Sequence, residues 1–329
     1  TETGDARWML LPLLQIADSA RAAAVALDDA ACRAPKIRRR GGRAADAGDG
    51  EADDVAGRKN QTRLVELLRE QFQKLNRDRE RRAAALVPGY QLLRLYDRLG
   101  QASQCSFLLT AMGQHRVDPA TLPKALAVPL MFSWGKNCVL EGNIVEAEER
   151  LGWAFANCPP AAKGNRRRIL QQLVPCRLRF GRFPSTAALR GHGLEGLAAV
   201  AAAVRSGDVR RFNQELRRSE EELIRSGAYL VAEKLKLLAY QRLCRRVHIA
   251  VAADMSATGM AEQRHKQDWA PYVRAFEWQD DCNEDEVVCI LANLIFIGAI
   301  RGYMSDEHRK VVFSKETPFP PAAKWCPKA

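Results

Sequence analysis

The sequence predicts a mostly α-helical fold: a right-handed, tetratricopeptide-like helical-repeat solenoid followed by a C-terminal winged helix. Three observations carry this. Alanine, leucine and arginine are abundant while aromatics make up 7% of the chain, a composition that favours helices. Helical periods joined by glycine-containing turns recur through the middle of the chain, as in paired-helix repeats. The final stretch, Asn283 to Pro321, reads as one capped helix running into a basic β-hairpin, which is the second half of a winged helix.

From the N-terminus, Arg7 to Asp29 is helical, apolar at Trp8, Leu11, Leu14 and Ile16, with Pro12 near its start. It gives an N-terminal helix over 1–31. Residues 32–60 hold Gly41-Gly42 and Gly48-Asp49-Gly50 with mixed charge, and read as a linker or disordered loop. The solenoid is placed over 61–228. Leu64, Leu67 and Leu68 lead into the charged run Arg77 to Arg82, and Pro88-Gly89 is expected to break that helix. Helices follow at Tyr90–Leu99 and Gln104–Met112, then a turn at Asp118-Pro119 and a helix opened by Pro123.

The clearest pair is Leu126–Leu140 and Ile144–Cys158 around Glu141-Gly142-Asn143. Ala147, Leu151, Ala154 and Phe155 form the inner face of its second helix. The turn recurs at Ser206-Gly207-Asp208 and more loosely at Phe180-Gly181-Arg182. Asn165–Phe180 is a basic helix that Pro175 should kink or end. Leu194–Val204, Val209–Ser226 and Tyr229–Ala253 complete the repeats. The winged half is placed over 229–321, its second helix around Val273–Trp278, and 322–329 is a tail.

Within the final stretch, Asn283 is a good N-cap and Glu286 stands three residues on, the spacing of a capping box. Glu284 and Asp285 add charge that the helix dipole favours. Val287, Leu291 and Leu294 share a face that Val288, Ile290 and Ile295 widen. Gly298 ends the helix. Strands are expected at Ile300–Met304 and Arg309–Ser314 around a turn at Ser305–His308, with Pro318, Pro320 and Pro321 stopping further pairing.

Composition bounds the function. The 329 residues leave room for two domains, and 47% hydrophobic content rules out global disorder. A net charge of +12 points to an anionic partner, nucleic acid or acidic protein. The nine cysteines include no CxxC pair, which fits reduced thiols rather than a disulfide framework or structural zinc. No apolar run approaches the length of a membrane span. Lys36 to Arg40 has the character of a short nuclear import signal.

No catalytic motif is visible: no GxSxG, Walker loop, HExxH or glycine fingerprint. Cys244 and His248 lie at helical spacing without further ligands, and Asp280-Asp281 with Asp285 lacks the alternation of a calcium loop. No cofactor, metal or small-molecule substrate is expected. Three basic clusters stand out: Lys163, Arg166, Arg167, Arg168, Arg177, Arg179, Arg182 and Arg190; Lys234, Lys236, Arg242, Arg245 and Arg246; and, on the wing, Arg301, Arg309, Lys310 and Lys315. The acidic start of the recognition helix capped by Asn283 (Asp280, Asp281, Glu284, Asp285, Glu286) would repel phosphates, so that helix should not read bases. Nucleic acid should run along the second and third clusters instead, bound without sequence choice. Val287, Leu291, Asn293, Leu294, Tyr303 and Phe313 form the candidate protein interface.

Several segments resemble a known family. Cys289 to Ile295, Ile300 to Ser305, and Val312 to Lys315 through Pro318 to Pro321 are similar to the C-terminus of PCI-domain proteins of the Thp type, found in the nuclear transcription-and-export complex 2. Gly135-Lys136, Glu146-Ala147-Glu148, Asn165-Arg166-Arg167, Leu173-Val174-Pro175 and Glu233 to Lys236 with Tyr240 extend the likeness from Leu126 to Pro321; Phe132 and Trp134 depart from it, standing where tyrosines belong. The resemblance implies a GANP/Sac-type scaffold partner, a small acidic Sem/Dss-type partner, RNA or DNA binding, and a nuclear location, at the envelope or pore, in messenger export. The second reading is an assembly subunit of a signalosome-like or proteasome-lid-like complex without nucleic-acid binding.

Overall fold

A computed structural model describes residues 6–33, 58–78, 81–114 and 117–326. Most of the expected linker, with the basic run Lys36 to Arg40, and also His115, lie outside these described residues. The protein is mostly helical and falls into two compact units, Thr1–Asn137 and Cys138–Ala329.

The first unit begins with a short 3-10 turn, Ala6–Met9, running into α1, Leu10–Arg33. Pro12 sits in the first turn of α1, where no hydrogen bond is lost. By length and composition α1 could cross a membrane; Gln15, Asp18, Ser19 and Arg21 interrupt its apolar residues, so no unbroken apolar run marks it in the sequence. Its acids tie it to neighbouring helices instead. Asp28, 2% exposed, accepts hydrogen bonds from the backbone N–H groups of Asn60 and Gln61 at 3.1 and 2.9 Å. It thereby caps the first turn of α2, Lys59–Arg77, whose own N-cap residue Arg58 makes no side-chain capping bond. Burial alone would raise the pKa of Asp28, but the bonds from Gln61 and Asn60 outweigh it and hold it low.

The break expected at Pro88-Gly89 does not occur. The chain leaves the helix at Asp78 and re-enters it as α3, Arg82–Leu99, which runs straight through both residues. Ala84 to Leu93 are all buried, so tertiary packing overrides a propensity cost of about 3 kcal/mol. Gly89 is where α3 meets its neighbours: a Cβ there would lie 2.9 Å from the Met112 sulfur and 3.3 Å from Phe72. Met112 belongs to α4, Ala102–Gly113; Asp118 then caps a 3-10 turn at Pro119–Thr121, and α5, Lys124–Glu141, follows. The division between the units falls inside α5.

The second unit opens with α6, Ile144–Asn157, packed on α7, Lys163–Arg179. Pro175 does not end α7, which continues to Arg179; Leu173, Val174, Cys176 and Leu178 around it are at most 1% exposed. A short α8, Thr186–Gly191, precedes the pair α9, Glu195–Ser206, and α10, Val209–Arg218. Both expected turns are built alike. Gly142 and Gly207 take φ of 81° and 70°, and the next residue caps the following helix: Asn143 accepts from Glu146 N–H at 3.3 Å and Asp208 from Arg211 N–H at 2.9 Å. Two expected long helices are each divided. Ser219 separates α10 from α11, Glu220–Ser226, and Lys234-Leu235 separates α12, Tyr229–Glu233, from α13, Lys236–Ala257.

The C-terminal part holds β1, Lys266–Asp268; α14, Ala270–Gln279; α15, Glu284–Phe296; β2, Gly302–Ser305; β3, Lys310–Phe313; and a final turn of helix, α16, Ala322–Trp325. The strands form one antiparallel sheet in the order β1-β3-β2, with Gln267 opposite Val311 and Tyr303 opposite Val312. The capping box is formed: Glu286 N–H donates to Asn283 at 2.9 Å and Asn283 N–H to Glu286 at 3.0 Å. Gly298, at φ 78°, follows the last residues of α15 as expected. The tail is not free: Trp325 and Cys326, each 2% exposed, join a core that runs without interruption from α7 to α16.

Candidate interaction surfaces

The C-terminal elements are held on α13 by buried polar ties. Gln241 Nε2 donates to the carbonyls of Ala299 and Pro320, both at 2.9 Å. It joins the end of α15 to the proline-rich return of the chain. Tyr272 donates to Gln267 at 2.6 Å, tying α14 to β1. His248 packs against the rings of Phe313 and Phe319, at 4.5 and 5.4 Å. Burial is the main cause that pushes its pKa down. Cys244, at helical spacing from His248, is fully buried with a thiol pKa pushed up by that burial. Among the described residues no group of three His, Cys, Asp or Glu is placed to hold a metal ion.

The candidate protein interface is largely internal. Val287, Leu291 and Leu294 are 0% exposed and Phe313 is 2% exposed. They face the chain's own core because α15 is covered by the sheet and the neighbouring helices, which takes up its whole apolar stripe. Asn293 and Tyr303 remain outside, joined on the surface by Cys289, Ala292 and Phe296.

The expected nucleic-acid residues divide as well. Lys236 is a structural tie: its Nζ lies 3.0 Å from Asp280, which also accepts from Asn213 at 3.0 Å and Tyr240 at 3.2 Å. Burial pushes the Tyr240 hydroxyl up to about 12. Asp280 is therefore not part of an open acidic helix end, and Glu284 accepts from the Trp269 indole at 3.0 Å. On the wing, Arg309 and Lys310 approach Glu284 and Asp268 at 3.8 and 4.0 Å, and Arg301 donates to Thr317 at 2.8 Å. Lys315 and Lys234 are exposed.

Arg242, Arg245 and Arg246 share a different setting. Arg242 stacks on Phe183 at 5.3 Å, and Arg246 donates to the Ser206 carbonyl at 3.0 Å. Burial, then the charges of Arg245 and Arg205, lower the Arg242 pKa. Sequence reasoning missed Arg205, which stacks on the same Phe183 ring at 5.1 Å. It also missed Arg210, which lies over Trp278 at 5.4 Å. The Arg210-Arg211 pair and an indole at the end of an amphipathic helix were the available signals.

The first basic cluster is mostly neutralised within the protein. Arg177 and Arg182 both reach Glu148, at 3.2 and 3.1 Å, and Arg167 reaches Glu222 at 2.9 Å. Arg166 donates to the Cys158 carbonyl at 2.9 Å and lies 4.1 Å over Phe155. Arg179, 2% exposed, donates to the Lys234 and Cys326 carbonyls at 3.3 and 3.0 Å.

No family model matches the chain. Among curated proteins it is 33% identical over 242 residues to Enhanced ethylene response protein 5 of Arabidopsis thaliana, covering 73% of this chain and 57% of that protein. It is 34% identical over 232 residues to the PCI domain-containing protein 2 homolog of Drosophila melanogaster, covering 70% and 56%. It is 30% identical over 239 residues to the Protein CSN12 homolog of Neurospora crassa, covering 70% and 53%. The chain thus spans little more than half the length of these relatives. Relatives carrying the PCI domain-containing protein 2 name support the PCI family for this chain.

Proposed function

We propose that this chain is a non-enzymatic PCI-domain scaffold subunit that binds nucleic acid and acts in a nuclear messenger-export complex. Its partners on this reading are a GANP/Sac-type scaffold and a small acidic Sem/Dss-type protein, at the nuclear envelope or pore. The observation that carries it is the C-terminal arrangement. A strand, two helices and a hairpin follow α13 in the order β1, α14, α15, β2, β3, and the sheet order is β1-β3-β2. That order supports a winged-helix reading, and the pairings of α6 with α7 and of α9 with α10 ahead of it support a helical-repeat PCI domain.

The electrostatics support nucleic acid held by its backbone. The first turn of α15 carries Glu284, Asp285 and Glu286, which opposes insertion of that helix into a groove. Cations lie instead on the wing and the outer side of α13, where phosphate contacts fix position without reading sequence. The relative named Protein CSN12 homolog keeps the signalosome-like assembly subunit as the alternative.

One experiment separates the two. Replacing Arg301, Lys310 and Lys315 by glutamate should weaken RNA binding by at least about tenfold, since each lost phosphate contact flattens the salt dependence by about 0.7. The complex recovered on a tagged chain should stay whole. A complex that falls apart while RNA affinity holds would establish the assembly reading and end the first.

A further inference from the structure

The turn Ser206-Gly207-Asp208 gathers arginines from three helices onto one face. Arg205 ends α9, Arg210 starts α10, and Arg242, Arg245 and Arg246 come from α13. Gly207 fixes the spacing: a Cβ there would stand 2.7 Å from the Leu243 main-chain nitrogen and 2.8 Å from the Arg242 carbonyl carbon. The turn therefore rests directly on the backbone of α13. Among the described residues none of these five arginines makes an ion pair. The acid in the turn, Asp208, is occupied by the Arg211 N–H at 2.9 Å.

Two aromatic rings organise the cations. Phe183 holds the guanidiniums of Arg205 and Arg242 at 5.1 and 5.3 Å. Trp278, at the end of α14, is 73% exposed. Arg210 lies over its ring at 5.4 Å and also donates to its carbonyl, so the indole is held open on a rigid helix end. Beside Arg205 a hollow of about 330 Å³ between Pro184, Ala201 and Ala202 supplies an apolar floor.

We propose that this face binds single-stranded nucleic acid, a base stacking on Trp278 while Arg205, Arg210, Arg242 and Arg245 hold the adjoining phosphates. The inference rests on the nucleic-acid reading above and adds the strandedness and the place. An acidic protein segment would need the arginines but gives no reason for an open indole. A duplex would offer phosphates while keeping its bases inside. An exposed indole beside cations without ion-pair partners is what an unpaired strand uses.

The test measures anisotropy of a labelled oligouridylate and of a matched RNA duplex with the full chain, across about 50 to 200 mM salt. Trp278→Ala should lower single-strand affinity by about tenfold, the scale of one lost base stack, and leave duplex affinity within about twofold. Arg245→Glu, at an exposed position, should weaken both and reduce the salt slope by about 0.7. Thermal melting of each variant checks that it is folded. Unchanged single-strand affinity in folded Trp278→Ala overturns the inference while the nucleic-acid reading stands. So does an Arg245→Glu variant that loses a poly-glutamate probe yet keeps its RNA. A wild-type chain that binds no RNA at all sinks both.

Discussion

Along α7 and its flanks, Arg166, Arg167, Arg177, Arg179 and Arg182 each meet an oxygen of the chain, and two of them share Glu148. Around the α9–α10 turn, Arg242 shares the Phe183 ring with Arg205 and lies in the field of Arg245, and the oxygens that Arg205, Arg210 and Arg246 reach are carbonyls rather than carboxylates. As sequence, the α7 cluster is the stronger of the two, because no acid lies between Lys163 and Arg190. Its carboxylates arrive from α6 and α11, brought in by helix pairing. A run of like charge thus reports a potential ligand only after the elements packed against it have been counted. The difference between the regions lies in what the fold brings to each, not in how many arginines each contains.

The widest gap between the two should appear on removing Arg179. Arg179→Met leaves the buried Cys326 carbonyl and the part-buried Lys234 carbonyl without this donor and should cost about 3 kcal/mol. Urea unfolding reads this as a shift in midpoint, whereas Arg245→Glu should leave the midpoint nearly unmoved. Next comes the turn that holds the second region. Gly207→Ala adds left-handed strain to a collision with α13 and should cost about 2–3 kcal/mol, with oligouridylate affinity falling as Arg205 and Arg242 shift. Gly142→Ala is the matched control, since nothing lies within 4 Å of its added Cβ; it should cost only about 1 kcal/mol. Equal losses for the two glycines would show that Gly207 does not position the arginines.

Glu148→Gln should convert the first region toward the second. With Arg177 and Arg182 released, stability should fall by about 1 kcal/mol, and the salt slope for oligouridylate should steepen by about 0.7 for each phosphate newly contacted. An unchanged slope would mean that exposure, not neutralisation, keeps α7 off the strand. The smallest effect concerns Asp280. Burial acts to raise its pKa from 3.8, but Lys236, Asn213 and Tyr240 outweigh that and lower it. Its stabilisation is therefore present above the ordinary carboxylate value and is lost as pH falls through the lower folded value. The loss should stay under about 1 kcal/mol because Lys236 is partly exposed to water. Asp280→Asn should flatten the acid limb of the melting curve by that amount; an acid limb as steep as the wild type's would assign it to other groups.

What could be read from sequence was local. The capping box at Asn283 and Glu286, the stop at Gly298, and the glycine-cap turns at Gly142 and Gly207 each depend on a few adjacent residues, and each is formed. Pro88 was misread as a break, because burial around it outweighs what proline costs a helix, and Pro175 likewise does not end its helix. Strand β1 was missed because Lys266-Gln267-Asp268 carries no apolar alternation; it is a strand only because β3 lies beside it. The apolar stripe of α15 was legible, but not whether a partner or the chain itself would cover it. Trp278 fell in the stretch with the least pattern, and its importance comes from Arg210, 68 positions away.

The bond from Arg179 to the Cys326 carbonyl spans 147 positions. During translation at about 5–20 residues per second, the guanidinium waits roughly 7 to 30 s for that acceptor to be made. Through that interval the underside of α7 lacks Trp325 and Cys326, so a growing chain presents a greasy, cationic flank to the ribosome's surroundings. A ribosome stalled before the codon for Trp325 would leave the same flank open, which makes it a natural place for a chaperone to hold the nascent protein.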